Sequence, residues 1–139
     1  MKFYIELHPD YWDIPPRVKI DVSNDLIWDD YITDNKVIEF NKEIPDDIEV
    51  KLNITLYNKT QNQTIIENGK TIKDQLLFLA KIMLDEINIE SLIWDAEYTV
   101  DTVVKKTVTS LGENGVWCLK FKTPFYLWFL ENTFKQTGV

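Results

Sequence analysis

Apolar and polar residues alternate with a period of two along most of this chain. Residues 2–7 set Phe3, Ile5 and Leu7 against Tyr4 and Glu6, the pattern of a half-buried strand that Pro9 ends. Residues 17–22 place Val18, Ile20 and Val22 on one side. Ser23, Asn24 and Asp25 form a turn cluster, and Leu26, Ile27 and Trp28 open a short strand that Asp29 and Asp30 interrupt. A short strand is expected over 37–40, between turns at 33–36 and 44–47. The clearest signal is residues 49–57. Val50, Leu52, Ile54 and Leu56 share one face, and Glu49, Lys51, Asn53 and Thr55 share the other, which predicts a strand with one face in a core and one in water.

Asn68-Gly69 between Thr64-Ile65-Ile66 and Thr71-Ile72-Lys73 predicts a hairpin turn. Residues 76–84 are rich enough in Leu and Ala for a helix. The alternation of Leu77, Leu79, Lys81 and Met83 with Phe78, Ala80, Ile82 and Leu84, and the nearby Ile87-Asn88-Ile89, favour a strand. One helical turn fits 90–94, β-rich composition marks 97–104, and a strand is expected over 116–121. Thr123-Pro124 has the form of a helix cap and first helical residue, so 125–134 reads as a short, very apolar helix. Short strands at regular spacing predict an all-β fold: one antiparallel β-sandwich domain of jelly-roll type over 1–139, closed by a short C-terminal helix.

Composition narrows the function classes. The chain has 139 residues and a net charge of -8, which argues against a broad nucleic-acid surface. A single cysteine, Cys118, excludes an internal disulfide, and a single histidine, His8, excludes a multi-histidine metal site. The longest apolar run, residues 76–80, falls far short of the ~20 residues of a membrane span. With Glu6 and His8 so near the start, no signal core is expected, and synthesis in the cytoplasm without secretion follows.

Few residues suggest chemistry. His8 reads as a surface or capping histidine and Cys118 as a core cysteine, each without the neighbours that catalysis requires. Asp21, Asp25, Asp29, Asp30 and Asp34 lie close in sequence, but their spacing matches no calcium loop. A solvated acidic edge explains them, and no metal is assigned. Trp12, Trp28 and Tyr31, with Tyr11, are interleaved with acids in the N-terminal loops. Rings beside carboxylates suit sugar stacking, a protein contact or a plug at the end of the sandwich, and these three readings stay open. The segment from Pro124 is apolar all round. Phe125, Trp128 and Phe129 are therefore expected either to plug the sandwich or to dock on another subunit, rather than on a membrane.

Residues 56–60, 64–74, 82–89, 115–117 and 124–132, about half the chain, resemble small β-sandwich virion proteins of contractile-tailed phages. Among them are Asn68-Gly69-Lys70, Gly115-Val116-Trp117 and Pro124-Phe125-Tyr126-Leu127-Trp128. The resemblance implies a non-enzymatic structural or receptor-facing role in a virion made in the host cytoplasm, with itself or other virion proteins as partners. It transfers no active site and no cofactor. A weaker resemblance, to calcium-dependent carbohydrate-binding modules, implies the alternative of a module recognising a host or polymer glycan. The departure from their ligand spacing leaves calcium unassigned.

Overall fold

A computed structural model describes the backbone of residues 1–90 and 95–137, with side chains through Thr133. Two antiparallel sheets face each other across one core. The first has strands β1 (Lys2–Asp10), β4 (Lys36–Asn41), β8 (Leu76–Leu84) and β12 (Ser110–Leu111) in the order β12-β8-β1-β4, with β9 (Ile87–Asn88) also on β8. The second has β2 (Arg17–Val22), β3 (Asp25–Tyr31), β5 (Glu49–Leu56), β10 (Glu97–Val100), β11 (Val103–Lys106) and β13 (Gly115–Lys122) in the order β11-β10-β13-β5-β2-β3. Neighbours distant in sequence, such as β1 beside β8 and β5 beside β13, give the jelly-roll type of crossover. The hairpin of β6 (Ile65–Glu67) and β7 (Lys70–Lys73) stands apart as a two-stranded ribbon.

The period-two pattern sets which side chains are buried. Val50, Leu52, Ile54 and Leu56 of β5 face Phe3, Ile5 and Leu7 of β1 in one core, together with Val18, Ile20 and Val22, Trp117 and Leu119. Each fully buried aliphatic side chain there contributes about 1.5–3 kcal/mol relative to exposure. The Asn-Gly hairpin forms as expected, with both Asn68 (φ 53°) and Gly69 (φ 76°) left-handed. Gly115 is required for a different reason. A Cβ there would lie 2.5 Å from the Thr99 carbonyl oxygen and 2.9 Å from the Tyr98 ring, so β10 could not close on β13.

Several expected boundaries move. β1 continues through Pro9 to Asp10, because beyond Leu7 it has β8 on one side alone and an open side tolerates a residue without N–H. β3 runs on through Asp29 and Asp30, since an edge strand can turn carboxylates to solvent. The segment expected over 97–104 is a hairpin, β10 and β11, turning at Asp101 (φ 54°). The helical turn expected over 90–94 lies, beyond Glu90, outside the described residues. Helix α1 spans Phe125–Thr137, but Thr123 does not cap it. The Thr123 hydroxyl donates to the Pro45 carbonyl at 2.6 Å and accepts from the Ile48 N–H at 3.2 Å, tying the helix entry to the loop before β5.

Candidate functional site

The alternation that buries Val50 to Leu56 turns Lys51, Asn53 and Thr55 to the outer face of the six-stranded sheet, and Tyr57 continues the row. At about 3.4 Å per residue this row is about 20 Å long. The backbone N–H of Tyr57 bonds the Arg17 carbonyl at 3.4 Å, and Arg17 stands opposite Tyr31 in the β2–β3 register. The result is a cluster at one end of the face. The Arg17 guanidinium lies 5.3 Å from the Tyr31 ring centre and 5.6 Å from that of Tyr57, and the Lys19 ammonium is 4.8 Å over Tyr57. Asp29 gathers the cluster, accepting from the Tyr57 hydroxyl and from Arg17 Nε at 3.1 Å. The Tyr57 hydroxyl holds the Asp29 carboxyl below the ordinary carboxylate range, against the opposing effect of burial and with the help of Arg17. Burial, and then Asp29, push the Tyr57 phenol up. Tyr57 is thus fixed in place as a neutral ring, and Tyr31 is 44% exposed.

The other end of the same face is a groove of about 380 Å³. Lys51 and Asn53 of β5 and Cys118 and Lys120 of β13 form its floor, and Glu97 and Thr99 of β10 form one wall. Asn53 Nδ2 donates to Asp21 at 2.9 Å, which orients its amide. This combination offers an oriented amide and carboxylate beside two ammonium groups, on the same sheet face as the two tyrosine rings. It contains no nucleophile–base pair. Cys118 is not the core residue expected: Trp117 and Leu119 take the inward positions, and the alternation leaves Cys118 half-buried on the outer face. Burial pushes its thiol up, although Lys120 and Lys51 pull the other way, so it is no activated nucleophile.

The predicted aromatic set is not brought together. Trp28 and Tyr31 lie on opposite faces of β3. Tyr31 joins Arg17 outside, whereas Trp28 is half-buried against the core, under the Lys36 ammonium at 5.2 Å, with its Nε1 buried and unpartnered among the described residues. Trp12 belongs to the loop after β1, where its Nε1 donates to the Gln63 carbonyl at 3.0 Å and Lys73 lies 4.6 Å over its ring. Tyr57, which completes the cluster with Tyr31, was missed. Its place as the outward residue after Leu56 was legible, but its partners, Arg17 and Asp29, come from other strands.

The acids scatter as well. Asp25 pairs with Lys42 at 2.5 Å, Asp21 serves Asn53, and Asp30 accepts from the Tyr31 N–H at 2.7 Å. No group of three His, Cys, Asp or Glu among the described residues is placed to hold a metal ion. His8 lies on the other sheet, where its Nε2 donates to Glu6 at 2.8 Å, and Glu6 also accepts from Tyr4 at 2.9 Å. Of the three helix residues expected to plug the sandwich or to dock at an interface, Phe125 is 1% exposed and belongs to the core, where it meets Phe121 edge-on at 5.2 Å, so it is no interface residue. Trp128 and Phe129 are half-buried against the same core, and the outward residues are Tyr126, Leu127 and Leu130.

No known protein-family profile matches the sequence, and no curated protein matches it. The fold does have a likeness among solved structures. A carbohydrate-binding module, vCBM60 in complex with galactobiose, superposes with a TM-score of 0.56 at 8% identity, over 86% of this chain and 97% of that one. At that identity the likeness establishes a shared β-sandwich fold. It lends no support to the resemblance to phage virion proteins.

Proposed function

We propose that this protein is a non-catalytic glycan-binding module whose binding surface is the outer face of the six-stranded sheet. The observation that carries this reading is that one sheet face carries both the Tyr31 and Tyr57 rings and a groove of polar donors and acceptors. Sugars present both apolar ring faces and hydroxyl edges, so a surface that recognises them combines aromatic area with oriented polar groups. Similarity of fold to a carbohydrate-binding module supports the reading without assigning a sugar. Among the predicted ligand residues, Tyr31 belongs to this surface, while Trp12 and Trp28 lie elsewhere. The test is a glycan array on the native protein, repeated with Tyr57→Ala and Tyr31→Ala. Glycan retention that both substitutions weaken is expected. Retention unaffected by either would refute this surface, and no retention at all would refute the function.

A second reading, a structural virion protein, is favoured by one observation. Tyr126, Leu127 and Leu130 leave an apolar face on α1, exposed by 56%, 47% and 47%. Self-association through that face predicts a native mass above that of one chain, lowered by Leu127→Glu. A native mass of one chain at high concentration refutes it.

A further inference from the structure

We infer that the groove at the β5–β13 end of this face takes an acidic glycan, one carrying sparse carboxylates such as uronic acid residues, with a carboxylate held between Lys51 and Lys120. The inference rests on the glycan-binding reading above and names the class of sugar.

Lys51 and Lys120 stand directly opposite each other on adjacent strands. Their neighbours Val50, Leu52, Leu119 and Phe121 are core residues, so both ammonium groups are turned to the outer face. Side chains opposite each other in a ladder start only about 4.5–5.5 Å apart at Cβ, and like charges there destabilise the sheet. Among the described residues neither ammonium makes an ion pair or hydrogen bond that would offset this. Lys2, Lys42, Lys59, Lys105 and Lys106 each find a carboxylate; Lys51 and Lys120 do not, and they are set directly opposite each other. An anion placed between the two lysines relieves their repulsion, and a carboxylate, with two acceptor oxygens, serves both at once.

The rest of the groove selects the kind of anion. Its β10 side carries Glu97, tied to Lys106 at 3.2 Å, and Asp95, which has its own partner. A densely charged polymer would set its anions against these carboxylates. A sugar chain with an occasional carboxylate places that group at the lysines and its hydroxyls against Glu97, Thr99 and Asn53. The net charge of -8 does not forbid this, because at physiological salt charges beyond about 8 Å are largely screened, and of the nearer carboxylates Glu97 is engaged by Lys106 and Asp21 by Asn53.

The experiment is calorimetric titration of the intact protein with trigalacturonate and with a glucuronic-acid-bearing xylotriose, each against a neutral counterpart, galactotriose or xylotriose. At least one acidic probe is expected to bind about tenfold or more tightly than its neutral counterpart, the worth of one charge-assisted hydrogen bond. Lys51→Gln and Lys120→Gln should each remove that preference, Lys51→Arg should retain it, and the acidic probe should slow modification of Cys118 by a thiol reagent. Equal binding of acidic and neutral probes overturns the inference while the glycan reading stands, as does acid-selective binding that both Gln variants leave intact. Binding of none of the four sugars overturns the inference, and an empty glycan array then separates failure of the function from failure of the sugar class.

Discussion

Trp28 and Tyr31 share a strand and differ in face, so truncating each should produce opposite phenotypes. Trp28 is half-buried against the core. Removing a fully buried Trp side chain costs about 3–5 kcal/mol, so half that burial, eased slightly by losing its unpartnered indole N–H, costs about 2 kcal/mol. Unfolding entropy near the midpoint is about 2.1 cal/mol/K per residue, or about 0.3 kcal/mol/K for this chain, so Trp28→Ala should lower Tm by about 7 °C. Tyr31 is 44% exposed and loses chiefly its contact with Arg17, worth about 0.5–1 kcal/mol, so Tyr31→Ala should lower Tm by no more than about 3 °C. Melting followed by circular dichroism reads the first quantity, and binding of an array-positive glycan at 20 °C reads the second. Trp28→Ala should keep its binding and lose stability, and Tyr31→Ala the reverse. If Trp28→Ala abolished binding with Tm unchanged, the assignment of faces on β3 would be wrong.

Gly115→Ala should lower Tm by several degrees, since its Cβ would meet the Thr99 carbonyl at 2.5 Å and force β10 away from β13, at a cost of about 1–3 kcal/mol; a melt within 1 °C of the parent would contradict this. Burial raises the Tyr98 phenol to about 12, so the folded state holds a proton that the unfolded chain releases near pH 10. The stability this provides is complete below pH 10 and is lost as pH rises toward 12, and Tyr98→Phe should flatten the slope of denaturant midpoint against pH in that window. Asp29 has the opposite sign: its lowered folded pKa contributes stability above the ordinary carboxylate range that is lost as pH falls through the folded value. Asp29→Asn should therefore show a weaker acid destabilisation than the parent. Phe125→Ala should destabilise the fold by about 3–5 kcal/mol, whereas Tyr126→Ala, on the outward face of the same helix, should change stability by less than about 0.5 kcal/mol in chemical denaturation.

The polar contacts on the outer face of the six-stranded sheet hold that face in one arrangement. Each acid on the outer face of the six-stranded sheet that touches a named partner is engaged in holding that face together: Asp29 pins Tyr57, Asp21 orients Asn53, and Glu97 meets Lys106. Such a surface is preorganised, which lowers the ordering cost of binding.

The sequence by itself determined the fold class, the strand of Val50, Leu52, Ile54 and Leu56, the hairpin at Asn68-Gly69 and the apolar C-terminal helix. Each of these is written in a local period or a local turn preference, which a linear reading detects. Tertiary structure decided everything that depends on which strands become neighbours. Whether Asp29 interrupts β3 or extends it depended on Arg17 and Tyr57, from β2 and the end of β5. Whether Cys118 lies in the core or the groove depended on which parity of β13 faces the other sheet, a choice that a one-residue shift reverses. The pairing of Lys51 with Lys120 could not be read either, since 69 positions separate them and only the β5–β13 register places them side by side. The helix shows both halves of the argument: its apolar composition was plain, but composition does not rank Phe125 above Tyr126. The position of β13 beneath the helix does, because it gives Phe125 the Phe121 ring to pack on and leaves Tyr126 facing water.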